Sequence, residues 1–207
     1  MSVVCAIKEN GKVYIGSDSQ CTSRGSRTSL SNPNNYKIWK YDGVDNCMFA
    51  HVGAVREGQI IKVEDDLVDD LDVLYDRINF KFVIKNLIPR IATALERYNC
   101  KKPDENGMES SLFFAYNDKL YAINTDFCVL DIDDYCAIGS GSPEAKGSLM
   151  STVGEDPEIR IIKAIKASAA NDIYVDYPII LTNTEDCTFK VIFEDDLKNI
   201  MKGNDNK

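Results

Sequence analysis

The sequence predicts an α+β fold in which two antiparallel sheets pack face to face between outer layers of helices, a four-layer αββα sandwich. One observation behind this prediction is the order of the hydrophobic patterns, which runs strands, two helices, strands, two helices, strands. Another is the set of tight-turn signals between neighbouring strand patterns, such as Asn10-Gly11 and Asn117-Asp118, which are typical of antiparallel hairpins.

The first quarter of the chain is predicted to form two hairpins joined by a loop. The hairpins turn at residues 9–11 and 42–46, and the polar stretch from Thr22 to Asn35 between them is expected to be a loop. The predicted strands of these hairpins are Val3–Ile7, Val13–Ile15, Tyr36–Tyr41 and Cys47–Val52.

Two helices are predicted after Gly53. The first carries apolar residues up to Val63 and leads into an acidic stretch from Glu64 to Asp72. The second has the helical spacing i, i+3, i+4, i+7, at Ile84, Leu87, Ile88, Ile91 and Leu95. Pro89 lies within this pattern, so we expect it to kink the helix or to cost roughly 3 kcal/mol.

The second half repeats the order of strands followed by helices. A short helix is predicted after Pro143, and a longer one begins with Asp156 as N-cap and Pro157 in the first turn. The predicted strands lie on both sides of these helices, at Ser111–Tyr116, Leu120–Ile123, Cys128–Ile132, Tyr135–Ile138, Ile179–Thr182 and Thr188–Phe193.

The composition indicates one globular domain over residues 1–207, with a flexible charged tail at about 198–207. The chain has 207 residues, 44% of them hydrophobic, which is enough to bury a core. A net charge of −9 without any block of Lys or Arg argues against nucleic-acid partners and anionic membranes. No apolar run reaches the ~18–20 residues of a membrane span, so we expect a cytoplasmic protein.

The cysteine and histidine content predicts no metal site and no cofactor. The seven cysteines are scattered without a C-x-x-C pair, and His51 is the single histidine. No G-x-x-x-x-G-K-[ST] phosphate-binding motif is present either. The thiols are expected to be reduced and mostly buried.

Ser2 is the most informative residue for function. It directly follows Met1 and precedes an apolar strand, so removal of Met1 would place a hydroxyl and a free α-amine on one carbon. A free α-amine has a pKa of about 7.7–8.0, and a hydroxyl with an N-terminal amine is a known nucleophile and base pair.

Further segments carry chemistry that suits such a nucleophile. Asp18 ends the strand antiparallel to the Ser2 strand, and Lys37 lies in a strand pattern where a buried positive charge would lower the pKa of an amine. Gly53 stands at a strand-to-helix junction whose N–H groups could receive an oxyanion. Residues 137–145 run from a strand through a Gly/Ser turn into a helix.

Taken together and in order, these segments resemble the β-type subunits of the proteasome family and the HslV-like peptidases, which are N-terminal-nucleophile hydrolases. The resemblance covers about 190 residues and includes Ser2-Val3-Val4, residues 16–19, residues 36–40, residues 53–59 and, most specifically, Ile138-Gly139-Ser140-Gly141-Ser142-Pro143. The family usually has Thr where this chain has Ser2.

The resemblance implies a role for each matching residue. Ser2 would be the nucleophile, its amine the base, and Gly53 the oxyanion donor. Asp18 and Lys37 would tune the amine, and Ser140 and Asp172 would orient it. The substrate would contact four further residues, namely Cys21, Thr22, His51 at the floor of the main specificity pocket, and Val55.

The function implied by the resemblance is an endopeptidase that cleaves peptides or unfolded proteins inside a ring of copies of itself. Any ATPase that unfolds substrates would be a separate partner, because this chain has no nucleotide-binding motif. Two alternatives stay open: another N-terminal-nucleophile reaction, such as amide hydrolysis of a small molecule or transpeptidation, and a non-catalytic ring subunit.

Overall fold

Two five-stranded antiparallel sheets form the centre of the molecule in a computed structural model that describes residues 2–100 and 107–197. The predicted tail at 198–207 lies outside the described residues. The first sheet has the strand order β10-β1-β2-β11-β12, so β1 lies between two neighbours. Its strands are β1 (Val3–Glu9), β2 (Lys12–Ser17), β10 (Tyr135–Gly139), β11 (Ile179–Asn183) and β12 (Lys190–Ile192).

The second sheet is a meander in which consecutive strands are neighbours, in the order β5-β6-β7-β8-β9. Its strands are β5 (Ile38–Lys40), β6 (Cys47–Val52), β7 (Ser111–Tyr116), β8 (Lys119–Ile123) and β9 (Val129–Asp131). The predicted Asn117-Asp118 turn joins β7 to β8, with Tyr116 paired to Lys119.

Burial on both faces explains why β1 is an uninterrupted apolar run. Side chains alternate along a strand, so Val4 and Ala6 pack in the core between the sheets. Val3, Cys5 and Ile7 pack on the opposite face, in the core beneath two helices. A strand covered on both sides reads as continuous apolar sequence.

The helices cover the outer faces of the two sheets, which confirms the predicted αββα layering. Helices α5 (Ser142–Ser151) and α6 (Pro157–Asn171) pack on the first sheet. The core of the second sheet is covered by α1 (Val55–Val63), α2 (Asp70–Leu74), α3 (Phe80–Phe82), a π-helical turn (Val83–Leu87) and α4 (Ile88–Arg97). In the described part of the chain, no helix has both the length and the apolar character needed to cross a membrane.

Pro89 is accommodated by the π-helical turn that precedes it. The N–H of Ile88 donates to the carbonyl of Val83, five residues back, and Pro89 then falls in the first turn of α4. Proline is tolerated in a first turn, where its missing N–H leaves no donor unpaired. The local widening of the helix thus takes the place of the predicted kink.

Several predicted boundaries were wrong. The stretch from Thr22 to Asn35 is not only a loop, since β3 (Gln20–Ser23) pairs with β4 (Ser26–Ser29). Both strands lack the apolar alternation that identifies a strand. In the acidic stretch, Asp69 caps α2 through a reciprocal hydrogen bond with Asp72.

Two elements near the end of the chain also differ from their predicted lengths. Helix α5 has ten residues and begins at Ser142, one residue before the proline, so it is not short. The last strand is confined to Lys190–Ile192, because Asp186 binds the backbone N–H and hydroxyl of Thr188 in a turn.

The contact between β2 and α6 predicts a large effect for Gly16→Ala. An added Cβ would lie 2.3 Å from Cγ2 of Ile161 and 2.7 Å from Cδ2 of Leu181, so the helix must shift. We expect a loss of about 1–3 kcal/mol in the free energy of unfolding, measured by urea denaturation.

Gly147→Ala is the matched control for this change. No atom lies within 4 Å of the added Cβ, and the residue is exposed inside α5. This variant should gain about 0.5–1 kcal/mol from helix propensity. Equal effects of the two changes would contradict the packing described here.

Candidate active site

The pairing of β1 brings three distant segments to the start of that strand. Val3 pairs with Gly139 on β10, and Val4 pairs with Ser17 on β2. Ser2 therefore lies opposite Ser140 on one side, while on the other side Asp18 lies opposite Val3, next to Ser2. The antiparallel register brings Ser140 to Ser2 from 138 positions further along the chain.

Asp18 is fully buried and fixes the beginning of β1. Its Oδ1 accepts a hydrogen bond from the Val3 N–H at 3.0 Å, and its Oδ2 accepts one from the Gln20 N–H at 3.0 Å. Lys37 Nζ donates to the same Oδ1 at 2.6 Å. The Val3 N–H and the Lys37 ammonium thus donate to the same carboxylate oxygen of Asp18, next to Ser2.

Lys37 reaches Asp18 from the opposite sheet, since it immediately precedes β5. Its Nζ also donates to the carbonyl of Gln20 at 2.8 Å, and its side chain is only 7% exposed. Burial lowers the pKa of the Lys37 ammonium, while the Asp18 carboxylate opposes that shift. The predicted pair of charges is therefore formed and shielded from water.

Ser140 holds the backbone of Ser2 through paired hydrogen bonds. The Ser2 N–H donates to Ser140 Oγ at 3.1 Å, and Ser140 Oγ donates to the Ser2 carbonyl at 3.4 Å. The Gly141 N–H donates to the same carbonyl at 3.3 Å. These contacts place Ser140 against the nitrogen that removal of Met1 would turn into an amine.

Gly139 permits this approach and was not among the predicted site residues. Its φ is +101°, and an added Cβ would lie 2.2 Å from the Ser2 carbonyl oxygen. A side chain at this position would force β10 away from Ser2. The Gly-Ser-Gly sequence was the available signal, although it did not indicate which glycine mattered.

Gly53 has the backbone geometry expected at the junction of β6 and α1. Its φ is +125°, and an added Cβ would lie 2.6 Å from the Glu109 carbonyl oxygen. Within residues 2–100 and 107–197, its N–H has no hydrogen-bond acceptor. It is therefore available to an oxygen atom that enters from the adjacent cavity.

A cavity of about 100 Å³ opens beside Ser2 and Gly53. It is bounded by β3, β5, β6, α1 and the segment before β5. It brings together Ser2, Lys37 and Gly53 with all four predicted substrate-binding residues, Cys21, Thr22, His51 and Val55. Further wall residues that the sequence analysis did not identify are Gln20, Leu30, Asn34, Asn35, Tyr36, Trp39, Val52, Gly58, Gln59 and Lys62.

His51 lies deep in this wall, beneath helix α1. An added Cβ on Gly58 would lie 2.2 Å from His51 Nε2, so the glycine leaves the space that the imidazole occupies. The imidazole meets the Trp39 ring edge-on at 5.8 Å. Burial, with a smaller contribution from Lys37, lowers the pKa of His51 to about 4, so the imidazole is neutral at pH 7.

Among the described residues, Asp172 makes no hydrogen bond to Asp18, Lys37 or Ser140. Its Oδ1 accepts from the Tyr174 N–H at 2.9 Å, and its Oδ2 is buried without a partner in the described part of the chain. Its loop nevertheless lies close to the site, since Gln20 Nε2 donates to the Ile173 carbonyl at 2.9 Å. Its predicted orienting role stays a prediction.

The cavity contains no arrangement that suggests a metal centre. Among the described residues, no group of three or more His, Cys, Asp or Glu side chains is placed to hold a metal ion.

The depressed pKa of His51 predicts a pH-dependent stability that one substitution should remove. The unfolded imidazole has an ordinary pKa near 6.5, so below that pH the unfolded chain binds a proton that the folded chain excludes. Stability should fall as the pH drops from about 6.5 to about 4, by roughly 3 kcal/mol.

His51→Gln tests this, because the chain has no other histidine. Urea unfolding of both proteins at several pH values measures the difference, and the carboxylate contributions cancel in the comparison. Parallel pH profiles would contradict a neutral buried imidazole.

Comparison with known proteins identifies the fold. No protein-family model and no curated protein sequence matches the chain. Among solved structures, Anbu (ancestral beta-subunit) from Yersinia bercovieri aligns with a TM-score of 0.72 and 11% identity, over 99% of this chain and 93% of that one. BPH from Thiobacillus denitrificans aligns with a TM-score of 0.68 and 17% identity, over 87% and 96%.

A third similar structure is eukaryotic HslV from Trypanosoma brucei, with a TM-score of 0.63 and 18% identity over 87% of this chain and 98% of that one. BPH has also been solved in complex with epoxomicin. Identities this low establish the architecture alone. The chain has the antiparallel, helix-covered αββα fold of HslV and Anbu, as its sequence predicted.

Proposed function

We propose that this protein is a proteasome-like peptidase that uses Ser2 as an N-terminal nucleophile once Met1 has been removed. The observation that carries the proposal is the shared oxygen of Asp18, which binds both the Val3 N–H and the Lys37 ammonium. The Asp18 carboxylate thereby holds the buried positive charge of Lys37 near Ser2. Ser2, Lys37 and Gly53 all line the same cavity.

The proposed reaction begins with proton transfer from the Ser2 hydroxyl to its own neutral amine, directly or through one water. Ser2 Oγ then attacks the substrate carbonyl carbon, and the resulting oxyanion accepts a hydrogen bond from the Gly53 N–H. The ammonium donates its proton to the departing amine as the peptide bond breaks. Water, deprotonated by the same amine, hydrolyses the acyl ester and restores Ser2.

Lys37 and Ser140 prepare the amine for this task. A buried ammonium close to the amine disfavours a second positive charge, which lowers the pKa of the amine and keeps it neutral near pH 7. Ser140 Oγ, 3.1 Å from the Ser2 nitrogen, fixes its position. The Asp18 carboxylate holds Lys37 in place without touching the reacting atoms.

Peptides and unfolded proteins are the proposed substrates. An extended peptide can add to the edge of β3 near Thr22 by backbone hydrogen bonds, with its side chains directed into the cavity. The binding of epoxomicin by BPH, a protein of the same fold, supports a ligand site in this architecture.

We further propose that copies of the chain close into a ring and that a separate ATPase supplies unfolded substrates. Large exposed apolar side chains support contacts between copies, among them Val63, Leu74, Met150 and Val153. All seven cysteines are free, which supports a reducing compartment such as the cytoplasm.

The nucleophile assignment predicts that Ser2→Ala abolishes cleavage of fluorogenic peptides while the circular dichroism spectrum and oligomeric state stay unchanged. Ser2→Thr should keep activity, because the hydroxyl and the amine are preserved. Ser151→Ala, an exposed serine in α5, is the control and should cleave like the parent.

Intact-protein mass spectrometry accompanies this experiment and should show the loss of Met1. An active protein that fully retains Met1 would rule out the amine as base. Full activity in Ser2→Ala would rule out the nucleophile. Activity on small amides alone would favour the other amidohydrolase chemistry, and complete inactivity of a processed protein would favour a non-catalytic subunit.

The charge role of Lys37 predicts a shift in the pH–rate profile of Lys37→Met. Without the ammonium, the pKa of the Ser2 amine rises, so the acidic limb of kcat/KM should move to higher pH. The rate near pH 7 should fall by about 10²-fold. A thermal melt must show the variant folded at assay temperature, and an unmoved acidic limb would reject the role.

A further inference from the structure

The charges that line the cavity are unbalanced. Of the described residues, two lysines, Lys37 and Lys62, belong to its wall, and no Asp or Glu does. Asp18 neutralises Lys37 at 2.6 Å from behind the wall. The charge of Lys62 has no such counterpart among the described residues.

Lys62 is held by neutral groups. It lies in the last turn of α1, half-buried, and its Nζ donates to the carbonyls of Pro33 at 3.2 Å and Asn34 at 2.9 Å. No carboxylate lies within 4.0 Å of its Nζ in residues 2–100 and 107–197. Asp42 acts on it only at longer range, and its carboxylate is on an exposed turn.

Among the described residues, the wall near Trp39 and His51 adds no negative charge. The Trp39 Nε1–H is buried and has no acceptor in the described part of the chain. His51 is neutral, and its Nδ1 is likewise without a partner. Both lysines act on His51 electrostatically, so their charges extend across this part of the wall.

One neighbouring group, the side chain of Gln20, would favour a ligand that donates a hydrogen bond rather than an anion. Gln20 uses its amide nitrogen to donate to Thr22 Oγ1 at 2.8 Å and to the Ile173 carbonyl, which leaves Oε1 as a buried acceptor without a donor. A carboxamide side chain could donate to it. The positive charge of Lys62 favours a carboxylate over a carboxamide. A hydrogen bond with an ionised partner is about twice as strong as one between neutral groups.

The position of the cavity determines which substrate residue would enter it. Ser2 and Gly53 both line it, so the carbonyl under attack would be held next to it. The side chain that enters then belongs to the residue that supplies this carbonyl. This step rests on the proposed function.

We propose that the cavity selects a residue with a carboxylate side chain, Glu or Asp, immediately before the scissile bond. Lys62 exchanges its two backbone carbonyls for the carboxylate in a charge-assisted hydrogen bond.

The test compares peptides that differ only at the residue before the cleaved bond: Glu, Asp, Gln, Leu or Lys. The parent protein should show a kcat/KM for Glu or Asp at least roughly tenfold above that for the isosteric Gln or Asn and for Leu. Lys62→Gln should remove most of this discrimination, measured as the ratio of kcat/KM for the Glu peptide to that for the Gln peptide. Lys62→Glu should make the Lys peptide the better substrate.

Lys166→Gln, a change at an exposed lysine of α6, is the matched control and should keep the parental preference. Preference for Gln or Leu in the parent, or an unchanged Glu-to-Gln ratio in Lys62→Gln, would overturn the proposal.

A binding measurement separates failure of this proposal from failure of the peptidase assignment. Calorimetry on the Ser2→Ala protein compares two N-acetylated tripeptides that end in Glu or in Gln, so both have a terminal carboxylate. Tighter binding of the Glu peptide, lost in Lys62→Gln, supports the pocket even if no variant cleaves anything. Equal binding of the two peptides would overturn it even in an active peptidase.

Discussion

The ion pair between Asp18 and Lys37 is the interaction on which the arrangement of the site depends. Asp18 ends a strand of one sheet, and Lys37 precedes a strand of the other, so the pair connects both sheets at the cavity. Burying two charges is costly, and the cost is offset only when every charged atom is well bonded. Asp18 accepts three hydrogen bonds and Lys37 donates two. Such a pair adds little stability compared with apolar packing, but it fixes Ser2 and the cavity wall relative to each other.

Close backbone approach is the second requirement of the site. Gly139 lets β10 reach the Ser2 carbonyl, and Gly58 leaves the space beneath α1 that His51 fills. In each case the absence of a side chain leaves space for another group, the Ser2 carbonyl at Gly139 and the His51 imidazole at Gly58. The glycines of this chain therefore contribute to the shape of the site as directly as the polar residues do.

The sequence was sufficient for the layers of the fold, and the roles it assigns to the site residues stay predictions. The continuous apolar run of β1 predicts a strand buried on both faces, and the order of the patterns predicts the sandwich. The hairpin of β3 and β4 could not be predicted, because both of its strands are polar and lack the apolar alternation that indicates a strand. Lys62 and Trp39 follow ordinary helix and strand patterns, so only tertiary structure reveals that both face one cavity. Asp172 is a different case. The family resemblance implies that it orients the amine, but among the described residues it makes no hydrogen bond that would support this role.

The two lysines of the cavity have different partners, so their charges can interact with different groups. Lys37, paired and buried, has a fixed position, and the proposed mechanism uses its charge to lower the pKa of the Ser2 amine. Lys62, bound to carbonyls only, has a charge that a ligand can still satisfy. The chain as a whole carries a net charge of −9, so its long-range field repels acidic peptides. Screening limits that field to about 8 Å at physiological ionic strength, whereas a half-buried lysine acts inside the cavity, where screening is weak. Selection of an acidic residue would therefore arise after the peptide has docked, as a difference in how well one side chain fits the cavity rather than in how fast the peptide arrives.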